Sequence, residues 1–520
     1  MSDLATVAVS ATTLPDHIIE QTRNRPTAPA LFWDGEWISY GDLHEMVQGT
    51  RLHLERLALP RGERVGILAK KSPGAIALIL ACLLDRRSVL LPSVGLRDET
   101  LQRLFVQAGC GHVLSLGTHS MTTLGELTCE VVSATSYDDR FQLESPDAGS
   151  PDAGETSLML TTSGSTGVPK IVPLSLPAID RFTDWAGPRF AITSGTTVLS
   201  YAPLNFDLCL LDIWTALKHG GCVALVDQDR ATNAHYLMGL LTTGAVHVVQ
   251  AVPMLYRLLI DARQDGDHRL ESVLHVIVTG DSIPLRTLEA LPGLFPRARF
   301  YNIYGSTETN DSFIHEIDVP RDAGRRNIPI GQPIEGVSAL VVGDGGRVVD
   351  GSGTGELWVA TPFQTRGYLI EALNEHKFVS HQTGIGQKTY FRTGDIVHRH
   401  GDGSITLEGR TDSYVKVRGV RVSTQAVERA ILEHDQVLEA AIIAIPDDVA
   451  GNRLHAVVRR DETGQLNSLS LRQHCARKLD GAAIPSTMEI ITSALPKTST
   501  GKIDRQHALF TQFKRRKADD

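Results

Sequence analysis

The stretch TTSGSTGVPK, Thr161 to Lys170, packs five hydroxyl side chains, two glycines and a closing lysine into ten residues. Glycines let the backbone approach an anion, hydroxyls offer donors, and a lysine adds a compact positive charge. The chemistry such a loop could do is to grip phosphate. It does not follow the common P-loop spelling, in which Gly-Lys-Ser/Thr comes four residues after a glycine. Here Lys170 follows Val168-Pro169, and Ile171 succeeds it. On composition alone, a phosphate clamp and an ordinary Ser/Gly surface loop both remain open.

Further polar groups recur in short stretches along the chain. Glu308 lies in YGSTET, Asp395 in YFRTGD, Arg410 in GRTDSYVKVRG, Lys502 in PKTSTGKIDR and Asp207 in YAPLNFDLCLLDIW. Each has a bland reading when taken singly. Tyr304 reads as a core aromatic, Arg410 as a surface ion-pair partner, Asp207 as a helix cap and Lys502 as a solvated lysine.

The elements that must position these groups come from apolar patterning. RVGILA (64–69), SVLLP (88–92), CVALV (222–226), VHVVQA (246–251) and LHVIVTG (274–280) are short apolar runs separated by stretches long enough for helices. This pattern predicts an α/β fold with mainly parallel sheets covered on both faces. SLML ahead of the opening loop reads as a strand; Ser175 and Pro177 behind it read as the N-cap and first turn of a helix. AIALILACLL (75–84) is too short to cross a bilayer and predicts a buried core helix ending at Asp85-Arg86-Arg87. From Pro329 to Val359, Gly-rich turns between short strands predict an antiparallel or barrel-like subdomain.

A boundary is expected within RHGDGSITLEGRTDSYVKVRGVRVS (399–423), where YVKVRGVRV reads as one alternating strand. A small α/β domain, 412–520, then follows a large one, 1–411. In it, TQAVERAILEHD places Val427, Ala430 and Ile431 on one helix face, and VLEAAIIAIPD and RLHAVVRRD read as strands.

With 520 residues, 42% apolar and 21% charged, the chain has the composition of a multidomain globular protein. A net charge of −9 argues against nucleic acid as a general partner. The short FKRRK run (513–517) reads as a solvated tail. Six scattered cysteines lack zinc or disulfide spacing and read as reduced buried thiols. With no basic region ahead of an apolar segment at the start, a cytoplasmic location and no membrane partner are expected.

Taken together and in order, TTSGSTGVPK, YGSTET, YFRTGD, GRTDSYVKVRG and PKTSTGKIDR resemble the adenylate-forming superfamily. That superfamily holds acyl-CoA synthetases, luciferases and the adenylation domains of nonribosomal peptide synthetases. The resemblance runs from about residue 15 to 512. It implies ATP and Mg²⁺, attack of a carboxylate on the α-phosphate, release of pyrophosphate, and transfer of the acyl group to a thiol. It also implies a large domain hinged to a small mobile one.

Residue by residue, the resemblance puts Thr162, Ser163, Gly164, Ser165, Thr166 and Gly167 on the phosphates, with Lys170 assisting. Thr307 would contact the α-phosphate and Glu308 would hold Mg²⁺. Asn302, Tyr304, Gly305 and Ser306 would frame the nucleotide. Asp395 would accept the ribose hydroxyls, and Arg410 would reach the ribose or phosphate side. Lys502 would bridge the substrate carboxylate and the nucleotide during adenylation, and Asp412 would be the hinge.

Asp207 resembles the aspartate that pairs with the substrate ammonium in the amino-acid-activating branch. Leu208, Leu211, Ile277, Thr279, Gly280, Ile303, Asp311 and Ser312 carry over as pocket positions. They imply a largely aliphatic pocket with a second acid, Asp311, that either helps hold the amine or tunes its site. NFDLCLLDIW is most similar to stand-alone enzymes that activate β-amino acids for macrolactam polyketide pathways. No phosphopantetheine-accepting segment follows Lys502, so a separate acyl carrier protein is the expected thiol partner. The competing readings are an acyl- or aryl-CoA ligase, which would need no ammonium partner, and a non-catalytic ATP-binding protein. Two departures, Pro362 in VATPFQTRGY and LDGAAIP (479–485), bear on partner contacts more than on ATP chemistry.

Overall fold

The computed structural model describes residues 12–116, 128–131, 157–162, 169–263, 269–325, 327–383, 386–417, 420–447, 451–462, 464–497 and 503–504. Ser163, Gly164, Ser165, Thr166, Gly167 and Lys502 lie outside the described residues.

Two twisted sheets dominate the first four hundred residues. In the nine-stranded sheet, six neighbouring strands are parallel: Pro29–Trp33, Cys222–Leu225, Thr197–Ser200, Val248–Ala251, His275–Thr279 and Arg299–Ser306. Antiparallel strands extend it at both ends. The six-stranded sheet is parallel through its first five strands and closes with an antiparallel partner, Lys170–Ser175 against Ser157–Thr162. Each expected apolar run thus falls on a strand. The run 75–84 is the helix Pro73–Leu84, with Pro73 in its first turn and the Ser72 hydroxyl accepting from Ala75 N at 3.2 Å.

The charges that end this helix are not solvated. Asp85 and Arg87 are buried and paired at 2.7 Å, and Arg51 reaches Asp85 at 2.9 Å. Buried carboxylate and guanidinium charges need such partners.

Side chains alternate along the central strands and divide the core between two faces. Ile277, Tyr301 and Ile303 pack on the face that also receives Leu210, Leu211 and Trp214. Val276, Val278 and Phe300 pack on the other, with the helices Ala234–Thr243, Pro253–Arg263 and Leu285–Leu294.

A five-stranded antiparallel sheet spans Ser338 to Arg410, further than the turn-rich texture suggested. Its long strand Gly386–Arg399 exchanges one neighbour, Phe378–Thr383, for another, Ile405–Arg410. Beyond it, YVKVRGVRV is a hairpin and not one strand: Tyr414–Val417 pairs with Val420–Ser423. The glycine in Arg418-Gly419 was the turn signal that strict alternation concealed. The helix Thr424–Leu432 buries Val427, Ala430 and Ile431 against the strands Val437–Asp447 and Gly451–Arg460. The five cysteines whose side chains are described are buried free thiols. Among the described residues no helix is long and apolar enough to cross a membrane.

Candidate active site

The carboxyl ends of parallel strands leave a crevice where ligands bind in open α/β sheets. Here the strands ending at Ser200, Ala251, Thr279 and Ser306 lie side by side and deliver the residues that follow them to one edge. Asp207 follows the first, Met254 the second, Gly280 the third, and Thr307-Glu308 the fourth.

Asp207 sits in the turn before a π-helical segment, Leu210–Thr215, and its carbonyl accepts from Leu210 N at 2.9 Å. The Thr215 hydroxyl closes onto Leu210 O at 2.7 Å. Lys71, which sequence reasoning missed, anchors the approach to this turn. It is fully buried and donates to Ser200 O at 2.5 Å, Ser200 Oγ at 3.1 Å and Ala202 O at 2.8 Å. Burial draws its pKa down to about 8, against the opposing pull of Cys209 and Asp212. Buried Asp212 is pushed up to about 8, with Lys71 the main restraint.

Aliphatic residues form the wall. Leu211, Ile277 and Ile303 belong to one packed cluster, Leu208 and Thr279 are buried, and Thr279 stands opposite Ile303 in the ladder. Gly280 takes a positive φ of 79° where the chain leaves its strand.

The return strand Asn310–Ile317 brings in Asp311 through a β-bulge. Tyr304 pairs with Phe313, but Gly305 pairs with Asp311, so Ser312 is the extra residue. Opposed residues in a ladder share a face, so Asp311 projects with Gly305 and Ile303 onto the aliphatic side. A Cβ on Gly305 would come within 2.2 Å of Asn310 O, so only glycine admits this close approach. Burial, then the charge of Asp207, pushes the Asp311 carboxyl up to about 8. Its Oδ2 has no hydrogen-bond partner among the described residues. Ser312 was expected on the pocket wall. Its hydroxyl is instead spent inside the turn, donating to Thr309 Oγ1 at 3.1 Å and Asn310 O at 2.9 Å.

On the other side of the same hairpin lies a polar cluster. The Tyr304 hydroxyl donates to Asp395 Oδ2, and Arg410 Nη1 donates to Oδ1 at 2.7 Å. Asn302 Nδ2 donates to Pro329 O at 2.8 Å. The Ser306 hydroxyl is 3.0 Å from that of Thr309. Thr307 and Glu308 occupy the turn and are buried. Tyr368, also missed in the sequence, donates to Glu308 Oε1 at 2.6 Å, while Lys170 Nζ stands 4.8 Å from its ring centroid. Thr162 and Lys170 face each other as the last described pair of the antiparallel strands on either side of the opening stretch. A third cation, Lys377, lies close by. A Cβ on Gly394 would be 3.7 Å from Lys377 Nζ, 3.6 Å from Arg410 Nη2 and 3.3 Å from Thr411 Oγ1. Burial, then Lys170 and Arg410, lowers the Lys377 pKa.

Asp412 lies in the short 3₁₀ turn Thr411–Ser413 that follows Arg410. Residues 498–502 are bracketed by the antiparallel bridge Lys497–Ile503. Lys497 Nζ pairs with Glu439 at 2.7 Å and touches Met254 Sδ at 3.2 Å. The base of the segment bearing Lys502 therefore rests beside the crevice edge.

A profile described as "AMP-binding enzyme" matches residues 18–369. The chain belongs to the AMP-binding enzyme family. A second profile, "AMP-binding enzyme C-terminal domain", matches residues 426–502 of this family member. It is 28% identical over 510 residues to an "L-proline--[L-prolyl-carrier protein] ligase" of Pseudomonas fluorescens, covering 95% of this chain and 98% of the relative. A protein of the same description from Streptomyces coelicolor is 29% identical, over 93% of this chain and 94% of the relative. Among solved structures, Klebsiella oxytoca NpsA in complex with 3-hydroxyanthranilyl-AMSN superposes with a TM-score of 0.81 at 22% identity, covering 97% of this chain and all of that one. An o-succinylbenzoate coenzyme A synthetase from Bacillus subtilis, in complex with ATP and magnesium ion, gives 0.81 at 19% identity, covering 95% of this chain and 99% of that one. At these identities the likeness is one of fold.

Among the described residues no group of three or more His, Cys, Asp or Glu could hold a metal ion.

Proposed function

We propose that this enzyme activates an amino acid, specifically a β-amino acid, at the expense of ATP and loads it onto the phosphopantetheine thiol of a separate carrier protein. One observation carries the amino-acid part. Two carboxylates, Asp207 and Asp311, border a wall of Leu208, Leu211, Ile277 and Ile303. Asp311 is buried with Oδ2 lacking a hydrogen-bond partner among the described residues, and half-buried Asp207 lies close enough to act on it, so this corner favours a ligand that brings a cation. A fatty or aryl acid would offer none. The near full-length similarity to the two L-proline–carrier protein ligases supports an amino acid and a carrier protein. The β-assignment, and with it a role in macrolactam polyketide assembly, rests on the likeness of NFDLCLLDIW to stand-alone β-amino-acid enzymes.

In the first step a substrate carboxylate oxygen forms a bond to the α-phosphorus, and the bond to pyrophosphate breaks. In the second, a thiolate attacks the acyl carbon and AMP departs. The barrier to the first is two anions meeting, and preorganised donors and cations lower it. Lys170, Lys502 and Arg410 supply positive charge, the Thr307 hydroxyl a donor, and Asp395 with Tyr304 the ribose and base side. Mg²⁺ held by Glu308 would neutralise charge on the phosphate oxygens. Release of pyrophosphate falls to the loop 163–168, and a turn about Asp412 would withdraw Lys502 before the thiol enters.

ATP–pyrophosphate exchange against panels of α-amino, β-amino, fatty and aryl acids tests this reading. Exchange confined to acids without an amine would overturn it. Thioester formation with free CoA in preference to carrier proteins would replace the carrier assignment by a CoA ligase.

A further inference from the structure

Asp207 alone meets the need of one ammonium, which leaves Asp311 unexplained. We propose that the pocket is built for a diamino acid: Asp207 takes the amine nearer the reacting carboxyl, and Asp311 takes a second protonated amine on the side chain. This rests on the amino-acid reading above and narrows its substrate class.

The backbone goes to some length to place this acid. The bulge at Ser312 puts Asp311 opposite Gly305 and onto the face of Ile303 and Ile277. An unslipped ladder would have put Ser312 there instead. Asn310, just before it, takes a positive φ of 52°, a left-handed turn conformation that asparagine tolerates better than other non-glycine residues.

Its chemistry is unsatisfied. Oδ2 is buried without a hydrogen bond, and the charge acting on the group is the like charge of Asp207. A leucine or valine would complete an aliphatic wall at no such cost, whereas a buried carboxyl without partners is destabilising. The cost is recovered when a ligand brings the missing donors.

Charge count then selects the ligand. The substrate carboxylate is met by the lysines of the nucleotide side, and one ammonium balances Asp207. A single amine held at half-buried Asp207 would leave the buried Oδ2 of Asp311 without a donor. A second ammonium balances Asp311.

The test is exchange with matched pairs in which a methyl replaces the second ammonium: 2,4-diaminobutyrate against norvaline, ornithine against norleucine, and 3,6-diaminohexanoate against 3-aminoheptanoate. For at least one pair the diamino acid should have a kcat/KM higher by about 10- to 100-fold, the worth of a buried charge-assisted contact. In Asp311→Asn that ratio should collapse to about one or invert, since the amide keeps the shape and loses the charge. Nucleotide binding by the variant, measured by calorimetry, checks that it folds. Wild-type preference for the methyl member of every pair, or a ratio unmoved by Asp311→Asn, overturns the diamino assignment and leaves amino-acid activation standing. No exchange with any amino acid overturns both.

Discussion

Tyr368 binds Glu308 and Lys170 into one unit: its hydroxyl donates to Glu308 Oε1 at 2.6 Å, and the Lys170 ammonium stands 4.8 Å from its ring centroid. The carboxylate proposed for Mg²⁺ and the lysine proposed to assist at the phosphates thus share one side chain from a different loop. Tyr368→Phe keeps the ring and removes the donor. It should raise the Mg²⁺ concentration needed for half-maximal exchange by about 3- to 10-fold, the net worth of one ordinary hydrogen bond, with less effect on the KM for the amino acid. Tyr368→Ala should also lower kcat, because Lys170 loses its platform. Equal Mg²⁺ requirements in wild type and Tyr368→Phe would refute the coupling.

The raised pKa of Asp311 fixes the sign of a pH effect. Its carboxyl titrates near 8 in the folded, ligand-free protein and about 3.9 in an unfolded chain. The folded state therefore holds the proton more tightly, and stability falls as pH rises from about 4 to about 8, then levels. Asp212, also near 8, acts with the same sign, so the quantity to measure is the difference between wild type and Asp311→Asn. The variant's Tm should gain on wild type across that window. A cationic substrate favours the ionised acid, so KM for the amine should fall between pH 6.5 and 8.5 in wild type and stay flatter in the variant. A KM profile shared by both proteins would assign the titration elsewhere.

Lys71 and Asp212 are both buried near the turn that carries Asp207; they are not in direct contact, though each feels the other electrostatically. Lys71→Met removes the donor to Ser200 O and Ala202 O and leaves these buried acceptors unsatisfied, which should cost about 1–3 kcal/mol each. Lys71→Met with Asp212→Leu should recover part of that loss, since it also removes a buried carboxyl without hydrogen-bond partners among the described residues. Substrate KM should stay raised in the double variant, because the two carbonyls remain without their donor. Chemical denaturation with exchange kinetics separates the effects. Recovery of both together would make Lys71 a stability residue only.

The ordered motifs made the family and the order of elements legible, and the apolar runs gave the strands and the helix Pro73–Leu84. What stayed hidden depends on register and on distant contacts. Asp311 and Ser312 are neighbours in sequence, and only the bulge decides which faces the pocket. The hairpin at 414–423 alternates so regularly that its turn was read through. Tyr368 and Lys377 lie outside regular strands and helices, where periodicity carries no signal. Lys71 follows another lysine, and nothing local says that one is exposed and the other wholly buried.

Lys377 is the cation whose role is least evident from sequence. It stands beside Arg410 at the Gly394 turn, and after burial the like charges of Lys170 and Arg410 help lower its pKa. Cations held together against repulsion suit an anion that neutralises them. Lys377→Gln should raise the KM for ATP by about 5- to 20-fold, as expected for one lost charge-assisted contact, and leave the amino-acid KM nearly unchanged. Unaltered ATP kinetics would reduce Lys377 to a support for the Gly394 turn through its bond to Arg392 O at 3.4 Å.

The small domain meets the large one through Arg286, whose guanidinium donates to Asp435 Oδ1 and to its carbonyl, both at 2.5 Å. Both side chains are largely exposed, so the pair is worth no more than about 1 kcal/mol. That is small for folding but of the right size to bias two domain orientations, since about 1 kcal/mol is a roughly fivefold shift in a population. The contact belongs to the arrangement in which Lys497 touches Met254 at the crevice edge. Arg286→Ala should therefore slow exchange by up to about fivefold while leaving single-turnover transfer from preformed adenylate to a thiol unchanged or faster. High salt should reproduce the loss in wild type and add little in the variant. If Arg286→Ala slowed both half-reactions equally, the contact would not distinguish the orientations.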